Sequence, residues 1–133
     1  MTKIILFFII SFALDVVWQN LHVFLYDNYM GGKITEFILL RAVLFDAVAM
    51  VLIALPFLLP SPIEEYKWLV MPLGIFASVL IEYWGLGTGR WAYNSLMPII
   101  PILKVGLTPT IQLGLISFAS FKLVDLFILY FRL

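Results

Sequence analysis

The chain has 133 residues, enough for one domain and too few for two. Hydrophobic residues make up 64% of it and charged residues 12%, where a soluble domain carries roughly half and roughly a quarter, so the chain cannot cover itself with polar surface. Eight basic residues balance eight acidic ones, no basic run suggests nucleic acid, and the lack of cysteine excludes disulfides, thiolate catalysis and Cys-ligated metals.

Spanning a bilayer takes about 20 mostly apolar residues, and four segments qualify. The first covers residues 4–26. It begins like a signal peptide, but its apolar run is too long for a signal core and no small-x-small site ends it, so a first spanning helix is expected. The second covers 36–59, with Thr35 as its N-cap. The third covers 62–86, opened by a capping Ser61 with Pro62 at the first helical position. The fourth covers 109–131, with Thr108 capping and Pro109 first. Backbone groups in lipid must be satisfied internally, which makes all four helices. The expected fold is all-α, a single-domain integral membrane four-helix bundle.

The connections differ. Residues 27–34 are short and polar, with Gly31 and Gly32 as a turn, and residues 59–61 turn tightly between two prolines. Residues 87–107 are long. Their second half is apolar but broken by Pro98, Pro101 and Gly106, and is expected to lie at the membrane interface over the end of the bundle. Four spans put both termini on one side. Lys3, Lys67 and Arg132 there are matched by Lys33, Arg90 and Lys104 on the other side, so the positive-inside rule gives no orientation.

Ionisable side chains at membrane depth cost about 2.5–3.5 kcal/mol each on insertion scales, which makes them functional candidates. Asp15, His22, Arg41, Asp46, Glu82, Lys122 and Asp125 all fall within the predicted spans. Alternating helix direction brings His22, Arg41, Glu82, Arg90 and Gln112 to one membrane face, with Asp15 and Asp46 deeper. Asp15, Trp18, Gln19 and His22 follow the i, i+3, i+4, i+7 spacing of one helical face, which predicts a stripe lining the bundle interior. Arg41 and Asp46 diverge by about 140° on an ideal helix and need different partners. Lys122 and Asp125, three apart, can pair with each other. Arg90 is expected to return its charge to Glu82. Trp91 and Tyr93 either form part of an interfacial aromatic belt or wall an apolar substrate.

The stretches DVVWQNLH, LLRAVLFDA and EYWGLGTGRWAYNSLMPIIPILKVGLTPTIQ resemble a small uncharacterised family of polytopic bacterial membrane proteins, which implies a bacterial cell membrane and no particular activity. Pro62, Glu64 and Glu65, with Gly89, Trp91 and Tyr93, also resemble the Pro-x-Glu-Glu and G-x-W-x-Y stretches of membrane enzymes of the lycopene cyclase and carotenoid hydratase kind, although the chain order differs. That likeness implies acid–base chemistry on an isoprenoid.

The resulting expectation is a membrane enzyme acting on a lipid or an apolar, isoprenoid-like small molecule, with no cofactor. A carboxyl desolvated in a bundle can serve as an acid while another, held by arginine, stays charged. Asp15 and Glu82 take these roles, His22 shuttles protons, Arg41 or Arg90 is the charge partner, and Asp46, Trp18, Gln19, Trp91, Tyr93 and Gln112 complete the site. The rival readings are a proton-coupled carrier or its subunit, for which four helices imply a homodimer, and a non-catalytic membrane assembly partner.

Overall fold

A computed structural model describes residues 1–132. The protein is an all-α four-helix bundle, 73% helical, with helices α1 (Thr2–His22), α2 (Glu36–Leu58), α3 (Val70–Gly87) and α4 (Leu107–Phe131). With the 3-10 turns that extend α1 to Leu25 and begin the third span at Glu64, all four segments are long and apolar enough to cross a membrane. α2, with 23 residues, is about 35 Å long at 1.5 Å per residue and exceeds the roughly 30 Å hydrocarbon core. The chain is a small integral membrane protein.

Three helix starts depend on local chemistry. Thr35 caps α2 as expected, its hydroxyl accepting from Ile38 N at 3.3 Å. Ser61 does not cap the third span. Its hydroxyl donates to the Pro56 carbonyl at 2.9 Å, meeting an acceptor left open near the end of α2. The third span instead opens as a 3-10 stretch, Glu64–Leu69, with Tyr66 outside helical geometry. Pro72 explains this. It lacks an N–H and its ring crowds the carbonyl four residues earlier, so regular α-helix starts at Val70 and places Pro72 in the first turn. α4 begins at Leu107 behind Gly106, which frees the Thr108 side chain for another partner.

The long connection also pairs with the first one. Tyr26–Tyr29 (β1) and Trp91–Tyr93 (β2) form a two-stranded antiparallel sheet, a feature absent from the expected fold. β1 turns back at Met30 and Gly31, both at positive φ. The apolar second half of the connection returns over the bundle end: Met97 and Val105 are buried, Ile99 bridges Gly106, and Tyr83 Oη donates to the Leu103 carbonyl at 2.7 Å. Leu96 and Ile102 remain exposed at 67% and 92%, which suits an interfacial loop.

α1 packs on α2 and α4, and α3 packs mainly on α4, whereas α2 and α3 touch sparsely. The apolar core, with Phe7, Met50, Phe57, Val70 and Phe121, fills the half of the bundle nearer the termini. Phe7 and Phe121 stack at a 5.0 Å centroid separation. The α3–α4 seam closes on two glycines. A Cβ at Gly74 would lie 2.5 Å from Gly114 Cα, and one at Gly114 would lie 2.3 Å from the Met71 carbonyl oxygen. Backbone cannot yield there as a flexible side chain could. Gly74→Ala and Gly114→Ala are therefore expected to lower stability by the 1–3 kcal/mol typical of overpacking, about a few degrees in melting temperature. Gly87→Ala, which meets open space, leaves it unchanged. Thermal unfolding in detergent micelles measures all three.

Candidate functional site

In the half of the bundle opposite the apolar core, two groups of buried acids are organised differently. Asp15 on α1 and Asp46 on α2 come together at one side chain of α4. The Gln112 amide from α4 bridges them, donating to Asp15 Oδ1 at 2.6 Å and to Asp46 Oδ2 at 3.0 Å. Gln19 adds a donor to Asp46 Oδ2 at 2.9 Å. Its own carbonyl faces His22 Nε2 at 3.1 Å, and His22 Nδ1 lies 3.1 Å from the Thr108 hydroxyl. A continuous string of polar contacts thus runs from Thr108 through His22, Gln19, Asp46 and Gln112 to Asp15. The helical stripe read from the sequence does line the interior, with Asp15 fully buried and His22 at 6% exposure. Asp15 Oδ2 and Trp18 Nε1 are buried without a hydrogen-bond partner.

Glu82, near the end of α3, is 6% exposed. Three aromatic side chains converge on it. Trp91 Nε1 donates at 3.1 Å, Tyr26 Oη at 3.5 Å, and Tyr93 Oη makes the shortest contact. The Tyr93 hydroxyl also accepts from Gly106 N at 3.0 Å, which ties the long connection to the acid. All three donors come from the two strands, so the sheet positions the carboxylate's partners.

The expected Arg90–Glu82 pair does not form. The ion pairs among the described residues are Lys3–Glu64 and Lys67–Asp125. Arg90 stacks over the Trp84 ring, with Cζ 4.4 Å from its centroid. The reason is geometric: Arg90 N and O are fixed by Gly85 and Met30, and the neighbouring Trp91 and Tyr93 already fill the acid's acceptor positions. His22 is likewise occupied by Gln19 and Thr108. Arg41 is exposed and donates to Tyr29 Oη at 3.0 Å, so it and Asp46 do have separate partners. Lys122 does not pair with Asp125. It lies 5.5 Å from the Phe118 ring, and Asp125 takes Lys67 from the start of the third span instead.

The gap between α2 and α3 holds a cavity of about 310 Å³. Asp46, Glu82, Gln19 and Gln112 are among its walls, as are Tyr26 and Trp91, while Arg41, Arg90 and Trp84 also line it. Asp15, His22, Trp18 and Tyr93 support these residues from behind and are not part of the walls. Ser78, whose buried hydroxyl lacks a partner, is a wall residue that sequence reasoning missed. A lone serine in an apolar run carries no signal of its own. Among the described residues no group of acidic or imidazole side chains converges as a metal site. Comparison of the chain with models of known families, with curated proteins and with solved structures finds no match.

Burial and, after it, the negative charge of Glu82 hold the Tyr26 and Tyr93 hydroxyls above the ordinary tyrosine range. A tyrosine whose folded value is raised keeps its proton where the unfolded chain, titrating near pH 10, has lost it. The stability contribution is therefore full below about pH 10 and declines as pH rises beyond it. Spectrophotometric titration is expected to show two tyrosines ionising after the rest. Glu82→Gln is expected to lower the Tyr93 transition without bringing it to the ordinary value, since burial remains. A Tyr93 transition indifferent to Glu82→Gln contradicts the contact.

Proposed function

We propose that this protein is a membrane enzyme acting on a lipid or isoprenoid-like substrate by acid–base chemistry in the cavity between α2 and α3. The observation that carries this reading is that one cavity exposes two carboxyl groups with different neighbours, Glu82 among aromatic donors and Asp46 among amides that it shares with a second acid. Glu82 faces three donors, the surroundings of an ionised acceptor. Asp46 shares the Gln112 amide donor with Asp15, and two carboxyls held that close are more easily kept with a proton on one of them. One cavity thus offers a proton donor and a charged base, the division of labour that acid–base catalysis needs.

In this scheme Asp46 gives the proton and Asp15 is the positioning residue behind it, a shift from the expectation that Asp15 itself meets substrate. Glu82 withdraws a proton or stabilises positive charge that develops on an apolar chain. The aromatic walls suit such a chain, and the lateral gap between α2 and α3 suits a substrate arriving from the bilayer. The likeness to cyclase and hydratase enzymes supports the same chemistry, and a bacterial cell membrane is the proposed location.

The polar string from Thr108 to Asp15 favours a second reading, a proton-conducting carrier. Beyond Asp15, however, the string has no further hydrogen-bonded member: the buried Ser11 bonds the Phe8 carbonyl, Ser117 and Ser120 have no hydrogen-bond partner, and the core around Phe7, Met50 and Phe121 surrounds them, whereas a carrier needs a connected polar path to the other face. Purified protein incubated with lipid extracts and followed by mass spectrometry tests the enzyme reading. Conversion of a lipid species is expected with the native chain, and both Asp46→Asn and Glu82→Gln are expected to reduce it by about a hundredfold or more. Liposomes that acidify on reconstitution, with no lipid converted, establish the carrier instead.

A further inference from the structure

Arg41 and Arg90 both line the cavity, and the ion pairs among the described residues engage neither of them. Each is braced by an aromatic ring. Arg41 donates to Tyr29 Oη at 3.0 Å and lies 5.9 Å from that ring's centroid, and Arg90 lies 4.4 Å from the Trp84 centroid. The strand register joins the two. Tyr29 sits opposite Trp91, the residue after Arg90, and Met30 N donates to the Arg90 carbonyl at 2.6 Å. Two guanidiniums are thereby set at one corner of the cavity, where α2 begins and α3 ends. Such forks match phosphate oxygens in charge and geometry. Away from that corner the walls are apolar, with Ile38, Ala42 and Phe45 on α2 and Ile81 on α3.

We infer that the cavity binds a phosphorylated amphiphile, its phosphate between Arg41 and Arg90 and its hydrocarbon chain along the α2–α3 gap toward Asp46 and Glu82. A carboxylate head fits less well, because it brings a single charge and only two acceptor oxygens to two guanidiniums. The volume of about 310 Å³ lies at the lower end of the roughly 300–1,000 Å³ range of small-ligand sites, which fits a single chain rather than a whole two-chain phospholipid. This assignment names the substrate class for the proposed chemistry, and it rests on that reading only for the conversion of the bound molecule, not for its binding.

Calorimetric titration into phosphatidylcholine nanodiscs carrying the protein tests it, with dodecyl phosphate, dodecanol and inorganic phosphate as probes. Saturable binding of dodecyl phosphate is expected, at least tenfold tighter than either other probe. Arg41→Ala and Arg90→Ala are each expected to weaken it at least tenfold, and Lys104→Ala, an exposed loop cation, to leave it unchanged. Should Arg90→Ala not fold, Arg41→Ala on the exposed face of α2 carries the test alone. Equal binding of dodecanol removes the anion from the site, and equal binding of inorganic phosphate removes the chain. Either result overturns the assignment, as does binding indifferent to Arg41. Asp46→Asn and Glu82→Gln are expected to retain binding. Native protein that binds dodecyl phosphate but converts no lipid leaves the site standing and removes the acid–base reading.

Discussion

A carboxyl group inside a lipid-facing bundle must be met by hydrogen-bond partners, and the placement of Glu82 organises the connections at that end of the molecule. A buried acid without partners is costly, and the one buried hydroxyl nearby on α3, that of Ser78, makes no hydrogen bond to it. The partners are brought from outside by the connections. Tyr26 follows the end of α1, Trp91 and Tyr93 follow α3, and pairing of β1 with β2 holds them together. Gly85 lets Trp91 approach, since a Cβ there would come within 2.0 Å of the indole. Tyr93 passes the constraint on, accepting from Gly106 N at the point where α4 starts. The small sheet and the returning loop together hold this acid's hydrogen-bond partners in place.

The second acid group solves the same problem differently. Asp15 and Asp46 are matched by amides, Gln19 from α1 and Gln112 from α4. Gln112 joins the two helix pairs, because it lies on the helix that packs against both α1 and α3. Polar matching at this end accompanies loose contact between α2 and α3, and the cavity is the space left there. The glycine seam, two residues along α4 from Gln112, holds α3 against α4, and at the other end the aromatic core draws the helices together. The apolar core and the polar cavity therefore occupy opposite halves of the bundle.

The spans are legible in the sequence because about twenty apolar residues in a row have few alternatives, and the Asp15–His22 stripe because the helical period exposes a shared face. Their starts are less so. Ser61 and Thr108 read as caps by residue type, but Pro72 moves one helix start and Gly106 sets the other. The partner of Glu82 is hidden for a physical reason. Charge suggests Arg90, yet neutral Tyr and Trp donors closer in the fold satisfy the acid and leave the arginine to stack on Trp84. The β1–β2 sheet is invisible because YDNY and WAY are too short for alternation to register and lie in two separate connections. Lys67 and Asp125 are separated by 58 residues, which a search for pairs on one helix cannot reach.

The central claim of the proposed chemistry is that one cavity is walled by a protonated carboxyl, Asp46 backed by Asp15, and by a separate carboxylate, Glu82. Infrared spectroscopy of the protein in lipid, compared across single substitutions, examines this most directly, because a protonated carboxyl and a carboxylate absorb in different regions. The account predicts a protonated-carboxyl band that disappears in Asp46→Asn, alters in Asp15→Asn and persists in Glu82→Gln, with Glu82→Gln removing carboxylate absorption instead. A protonated band that survives both aspartate changes and vanishes with Glu82→Gln would contradict it.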